Sequence, residues 1–280
     1  MDIDRASSFL AGHARVLDRR RFERLTGTGS PEAVLAALDG YRNPDGGYGW
    51  GIEPDLRDSS SQPAGALHAF EVLAEAPEHG DRAVQLCDWL GTAVLSDGGL
   101  PFALPVTDPT GVAPFWAGAD AKTSSLHITA AVTLAALAVP GIEDHPWLVR
   151  SIQYCRESIA GITEKPFAIE YSYLLQLLDA LGDTAELERL ARWLPSDGLL
   201  PVDGGAEGEA LRPLDVTPWP DRPLRSHYSA EVIAAEVARL DAEQQSDGGW
   251  LVDFDSYSPA ATLEWRGYAT VRAVTVLLRN

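Results

Sequence analysis

Apolar residues recur at three- and four-residue spacing through most of the chain, the mark of helices with one face turned inward. The spacing predicts helices over 3–24, 31–43, 60–76, 81–95, 122–138, 145–160, 166–182, 184–195, 226–244 and 258–278. Strand-like alternation is nearly absent. Ser30 before Pro31 reads as a capped start, because proline at the first helical position gives up no hydrogen bond. The segment LHITAAVTLAAL (126–137) is apolar on every side, as a helix buried all round should be. The segment TAELERLARWLP (184–195) has a polar face and belongs on the outside.

A second pattern repeats between the helices. Asp-Gly begins at Asp45 (DGGYGW), Asp97 (DGGLPF), Asp197 (DGLLPV) and Asp247 (DGGWLV), at spacings of 52, 100 and 50 residues. Such a period, with one turn missing near residue 147, indicates stacked helix–turn–helix units. Asp can bond its own backbone and Gly takes positive φ without steric cost, so each turn ends a helix and reverses the chain. The aromatic residue or Leu that follows is expected to plug the gap between units.

Helices before the turns read as outer (31–43, 81–95, 184–195, 226–244, and 145–160 by analogy). Those after them read as inner (60–76, 122–138, 166–182, 258–278), with 3–24 starting the ring. The Pro- and Gly-rich stretch 199–225 cannot be a long helix and reads as an irregular crossing that edges a cavity. The expected fold is therefore all-α. Residues 1–280 form a single α/α toroid domain, an α/α6-like barrel of helical hairpins with Asp-Gly-Gly turns. An open superhelix of hairpins is the alternative.

Charge and leader signals narrow the partners. A net charge of −19 argues against nucleic acid or an anionic membrane surface. The best apolar run, 128–140, is too short to span a bilayer. The N-terminus, MDIDRASS, lacks the basic region and apolar core of a secretory signal, so a cytoplasmic location is expected. Cys87 and Cys155 read as small buried apolar residues in a reducing compartment.

Gln245-Ser-Asp-Gly-Gly-Trp250, closing one helix before the next begins, resembles the Gln–Trp repeat of squalene–hopene and oxidosqualene cyclases. Prenyltransferase β subunits share the toroid of that superfamily. The resemblance covers most of the chain through its four Asp-Gly turns. It is specific for fold more than for activity, since fold does not fix function. It implies a terpene-cyclase-like enzyme that cyclises a small isoprenoid or similar apolar substrate by acid initiation, without metal. In those cyclases an Asp-x-Asp-Asp motif protonates an alkene or epoxide, which requires a carboxyl kept protonated in an apolar pocket. Asp253-Phe254-Asp255-Ser256 matches its first three positions, ends in Ser, and lies directly after the last turn. On this reading Asp255 is the acid and Asp253 its partner.

The zinc-binding Asp-x-Cys of protein prenyltransferases and the magnesium-binding Asp-Asp-x-x-Asp of class I synthases have no counterpart, so no metal or cofactor is expected. The related cyclases build this site from two toroids, so a homodimer or partner protein would supply the other half.

Polar residues at the starts of inner helices would converge on the cavity mouth: Glu53, Asp55, Asp120, Glu170, Tyr173 and Glu264, beside Asp58, Lys122 and Arg266. His227 and Tyr228 open the 226–244 helix, and His68 and His127 lie within inner helices. Of the loop aromatics, Phe115, Trp116, Tyr257 and Trp265 are placed at the substrate, where ring faces stabilise cations. Tyr48 and Trp250 read as inter-unit plugs. Two other functions stay open. One is a toroid that binds an apolar ligand or partner protein without chemistry. The other is a carboxylate-based hydrolase or lyase acting on a polar substrate through Glu53, Asp55 and Asp120.

Overall fold

The computed structural model describes Met1–Asn280, and the chain is all-α. Its helices are α1 (Ile3–His13), α2 (Val16–Leu25), α3 (Pro31–Leu38), α4 (Pro63–Glu75), α5 (Arg82–Ala93), α6 (Pro114–Ala117) and α7 (Leu126–Leu137). They continue as α8 (Pro146–Ala160), α9 (Ala168–Leu181), α10 (Thr184–Ala191), α11 (Pro213–Val216), α12 (Ala230–Ala242) and α13 (Pro259–Leu277). Two short strands, β1 (Leu200–Pro201) and β2 (Ala210–Leu211), pair antiparallel. No helix is long and apolar enough to cross a membrane.

Side-chain caps set several helix starts. Ser30, Ser125, Ser229 and Ser258 each accept the backbone N–H three residues on, satisfying a donor the helix leaves open. The cap at Ser125 explains why α7 starts at Leu126 rather than residue 122. The cap at Ser229 moves the 226–244 helix to Ala230, leaving Pro223–His227 as a separate 3-10 turn. The stretch 199–225 is irregular as expected, and holds the small hairpin, α11 and the start of that turn.

The chain divides into two compact units. The terminal unit is Met1–Thr28 with Thr163–Asn280, and the central unit is Gly29–Ile162. In the central unit α4 packs on α7, and α7 on α8. All residues from Pro63 to Phe70 of α4 are buried. In the terminal unit α13 packs on α1, α2 and α12, around a core that includes Phe9, Leu10, Phe22, Trp250 and Val274.

The four Asp-Gly turns share one construction. The Asp Oδ1 accepts the N–H two residues on, at 2.9 Å for Asp45 and 3.1 Å for Asp97, Asp197 and Asp247. The first glycine has φ of 90°, 93°, 77° and 97° in turn. A group from a following helix or its lead-in also bonds the Asp in three turns: Ser61 Oγ on Asp45 (2.8 Å), Ser124 Oγ on Asp97 (2.7 Å) and Arg266 on Asp247 (2.9 Å). The residues that follow, Tyr48, Leu100, Leu200 and Trp250, are all buried. At Gly98 an added Cβ would meet nothing closer than 3.4 Å. Gly98→Ala should therefore cost only the left-handed backbone penalty, about 1–2 kcal/mol, measurable by urea unfolding.

Two of these glycines leave no room for a Cβ beside a backbone carbonyl, Gly46 at Gln85 of α5 and Gly248 at Arg5 of α1, while Gly98 lies in ordinary contact range of the Arg150 carbonyl of α8. So α1 meets the last turn as α5 and α8 meet theirs. The helix expected over 3–24 is two. Ala14 and Arg15 are extended (ψ 165° and 151°) and split the segment in two. Both halves pack on α13.

Candidate functional site

In the central unit, two loops are stitched together. Buried Asp58 accepts from Ser60 N–H and Oγ (3.2 and 2.9 Å) and from Thr107 N–H and Oγ1 (3.1 and 3.2 Å). Burial works to raise its carboxyl, and these four donors outweigh it, holding the group below the usual carboxylate range. Asp58 therefore holds structure. The Asp55 carbonyl accepts Ala113 N–H at 2.8 Å, which fixes the start of α6. On α6, Trp116 stacks on Phe102 with centroids 4.4 Å apart, and Phe102 lies 5.6 Å from the His127 ring. Burial pushes the His127 imidazole down to about 4, so it is neutral at pH 7. Phe115 is exposed beside Trp116.

Behind the first loop lies a buried charge cluster. His68 Nε2 is 2.8 Å from Glu53 Oε2, and its Nδ1 is 3.0 Å from Glu71 Oε2. Burial disfavours the imidazolium, but the two carboxylates prevail and push its pKa up to about 9. Glu53 Oε1 also takes the Asp55 N–H at 3.2 Å. An imidazole bridging a buried Glu53 and a half-buried Glu71 can pass a proton between them.

Trp50 is the one non-glycine residue with positive φ (57°), a strained conformation for a bulky side chain. It is pinned by its N–H on the Asp58 carbonyl (2.7 Å) and its Nε1 on Asn43 Oδ1 (2.8 Å).

In the terminal unit, Asp253, Asp255 and Tyr257 lie on the loop before α13 and are solvent-exposed. Partial desolvation, then the nearby Asp215 carboxylate, push the Asp253 carboxyl above its usual value. Asp255, the expected acid, is exposed, as is Asp253. Asp215 is held by Arg272 Nη1 at 2.8 Å and by the Arg212 N–H at 2.9 Å. Desolvation opposes the Arg272 charge, and the Asp215 carboxylate outweighs it and raises the pKa. Trp265 lies edge-to-face with Phe254 (5.2 Å) and Tyr268 (5.6 Å), and the Arg21 guanidinium sits 5.5 Å from the Tyr268 ring centre.

The candidate residues divide between the units. Glu53, Asp55, Phe115, Trp116 and Asp120 fall in the central unit, and the rest in the terminal one. Asp120 is exposed and uses its oxygens locally on Lys122 N–H (2.9 Å) and Thr123 Oγ1 (2.6 Å). Glu170 and Tyr173 are half-buried on α9, as are Glu264 and Trp265 on α13. His227 does not open a helix. It ends the 3-10 turn before α12, 3.6 Å from Glu188. Sequence reasoning missed Glu71, Asp215, Tyr268 and Arg272. A signal for two of them was present, since Trp265, Tyr268 and Arg272 follow i, i+3, i+7 spacing and share one face of α13. No protein-family model and no curated protein matches this chain.

Proposed function

We propose that the hairpins close into an α/α toroid and that the protein is a terpene-cyclase-like enzyme. It starts a metal-independent, acid-initiated cyclisation of an isoprenoid or similar apolar substrate, with Asp253 as the acid. The observation that carries this reading is the ring cluster of Phe254, Trp265 and Tyr268 next to Asp253 in the chain, where partial desolvation and then the nearby Asp215 hold the Asp253 carboxyl above its usual value. The Asp253 carboxyl gives its proton to an alkene carbon or epoxide oxygen, and the substrate becomes a carbocation. The faces of Phe254, Trp265 and Tyr268, in the same unit, suit that cation. Loss of a proton from the cyclised cation ends the reaction. The docking of the last turn on α1, in the manner of the earlier turns, supports closure of the ring.

The test is incubation with linear isoprenoid alcohols, diphosphates and epoxides, with and without EDTA, followed by mass spectrometry. A new isomer of unchanged mass, insensitive to EDTA, is expected. It should vanish in Asp253→Asn and persist in Asp255→Asn. Conversion that survives Asp253→Asn removes that residue from the role of acid. No conversion of any probe overturns the cyclase reading. The buried Glu53–His68–Glu71 chain favours a second reading, carboxylate chemistry on a polar substrate. Activity lost in Glu53→Gln and kept in Asp253→Asn would move the chemistry there.

A further inference from the structure

One arginine of the terminal unit carries a buried charge without a counter-charge. Arg225 sits on the 3-10 turn Pro223–His227 and is half-exposed, but its Nε and Nη2 are buried and meet no hydrogen-bond acceptor. Those two nitrogens form one edge of the guanidinium. Arg82 uses the same edge to grip Asp39, with Nε on Oδ1 at 2.8 Å and Nη2 on Oδ2 at 2.6 Å. At Arg82, Arg239 and Arg272, partner carboxylates outweigh desolvation and hold the pKa above its usual value. At Arg225 desolvation acts alone and pulls it down. A buried charge left unpaired is costly, so such an edge calls for an anion.

The neighbouring acids are engaged elsewhere. Asp179, the buried acid that meets the turn, accepts the Leu224 N–H at 2.9 Å, and Glu188 faces His227 at 3.6 Å. The segment RPLRSH (222–227) holds two arginines, a histidine and no acid, in a chain of net charge −19. Arg222, at the head of the turn, is exposed and adds positive charge at the surface. A guanidinium edge donates two parallel N–H bonds, which match two oxygens on one atom, as in a carboxylate or a phosphate. We propose that Arg225 anchors an oxyanion site, which takes the carboxylate or phosphate group of a ligand. The turn is short and flanked by exposed residues 221, 222, 223 and 226, so it can give way locally to admit the group. The site does not depend on Asp253 or on the cyclase reading.

Thermal unfolding of the full chain in phosphate-free buffer tests this, with inorganic phosphate or acetate titrated against sodium chloride at equal ionic strength. A saturable rise in Tm beyond that in chloride is expected, about 5 °C at a hundredfold excess over Kd. A tighter response to phosphate assigns the site to a phosphate group, and a tighter response to acetate assigns it to a carboxylate. Arg225→Gln should abolish the rise. Without added anion this variant should be no less stable than wild type, because the unpaired charge is gone. Arg225→Lys keeps the charge without the two-pronged edge and should weaken binding about tenfold. No rise beyond chloride with either anion overturns the proposal, as does a rise that Arg225→Gln keeps. A lower Tm of Arg225→Gln without added anion would place the partner of Arg225 within the protein and overturn it as well.

Discussion

Asp18→Ala is expected to destabilise the protein by about 3–5 kcal/mol, the scale for removing one partner of a buried ion pair. Asp18 is fully buried on α2. Its oxygens take Arg15 Nε at 2.8 Å and Arg15 Nη2 at 3.2 Å, and Arg21 stands 3.8 Å away. Both arginine side chains are themselves nearly buried. The substitution leaves two guanidinium groups in the interior without this carboxylate. It also opens space where α13 crosses, since a Cβ on Gly267 would lie 3.0 Å from Asp18 Oδ2 and 2.8 Å from the Ala14 Cβ. Such a loss is a large share of the roughly 5–15 kcal/mol that holds a typical domain folded. Asp18→Asn keeps the shape and loses the charge, so it separates the ionic part from the cavity. Urea unfolding of the two variants measures both. A loss under about 1 kcal/mol in Asp18→Ala would show that the arginines find water or other acceptors, and that the pair does not hold the α1–α2 corner.

That corner also shows where sequence reading stops. The Asp-Gly turns were legible because their chemistry is local. The carboxylate, the N–H it accepts and the positive-φ glycine lie within three residues. The Ser30 cap was legible for the same reason, whereas those at Ser125 and Ser229 were passed over. The break at Ala14–Arg15 was not legible, because 3–24 keeps helical spacing throughout. What accompanies the break is a buried charge and a crossing at Gly267, near the other end of the chain. The acids divide along the same line. Three letters placed Asp253 and Asp255 together, but the upward push on Asp253 comes from its surroundings and from Asp215, outside the motif. For His68, Glu71 is one helical turn away and visible as a neighbour. Glu53 reaches it only through the fold of its loop.

The two-sided clamp on His68 should appear as a pH dependence of stability. Its pKa in the folded protein is about 9, against an ordinary value of 6.5. Folding therefore favours the protonated ring. The contribution is fully present below about pH 6.5, where the unfolded chain is also protonated, and is lost as the pH rises through about 9. The shift corresponds to roughly 3 kcal/mol when fully expressed. Removing the ring charge leaves Glu53 and Glu71 facing each other across a neutral group, so the loss falls on a buried site that solvent does not screen. In His68→Gln the amide can bond one carboxylate but carries no charge. The stability gap between wild type and His68→Gln should be widest near pH 6 and shrink steadily toward pH 10, as read from urea unfolding at each pH. A gap independent of pH would mean that the imidazole is held neutral by hydrogen bonds alone. The proton relay would then lack its cation, and the second reading of function would lose its support, while the cyclase reading through Asp253 would be untouched.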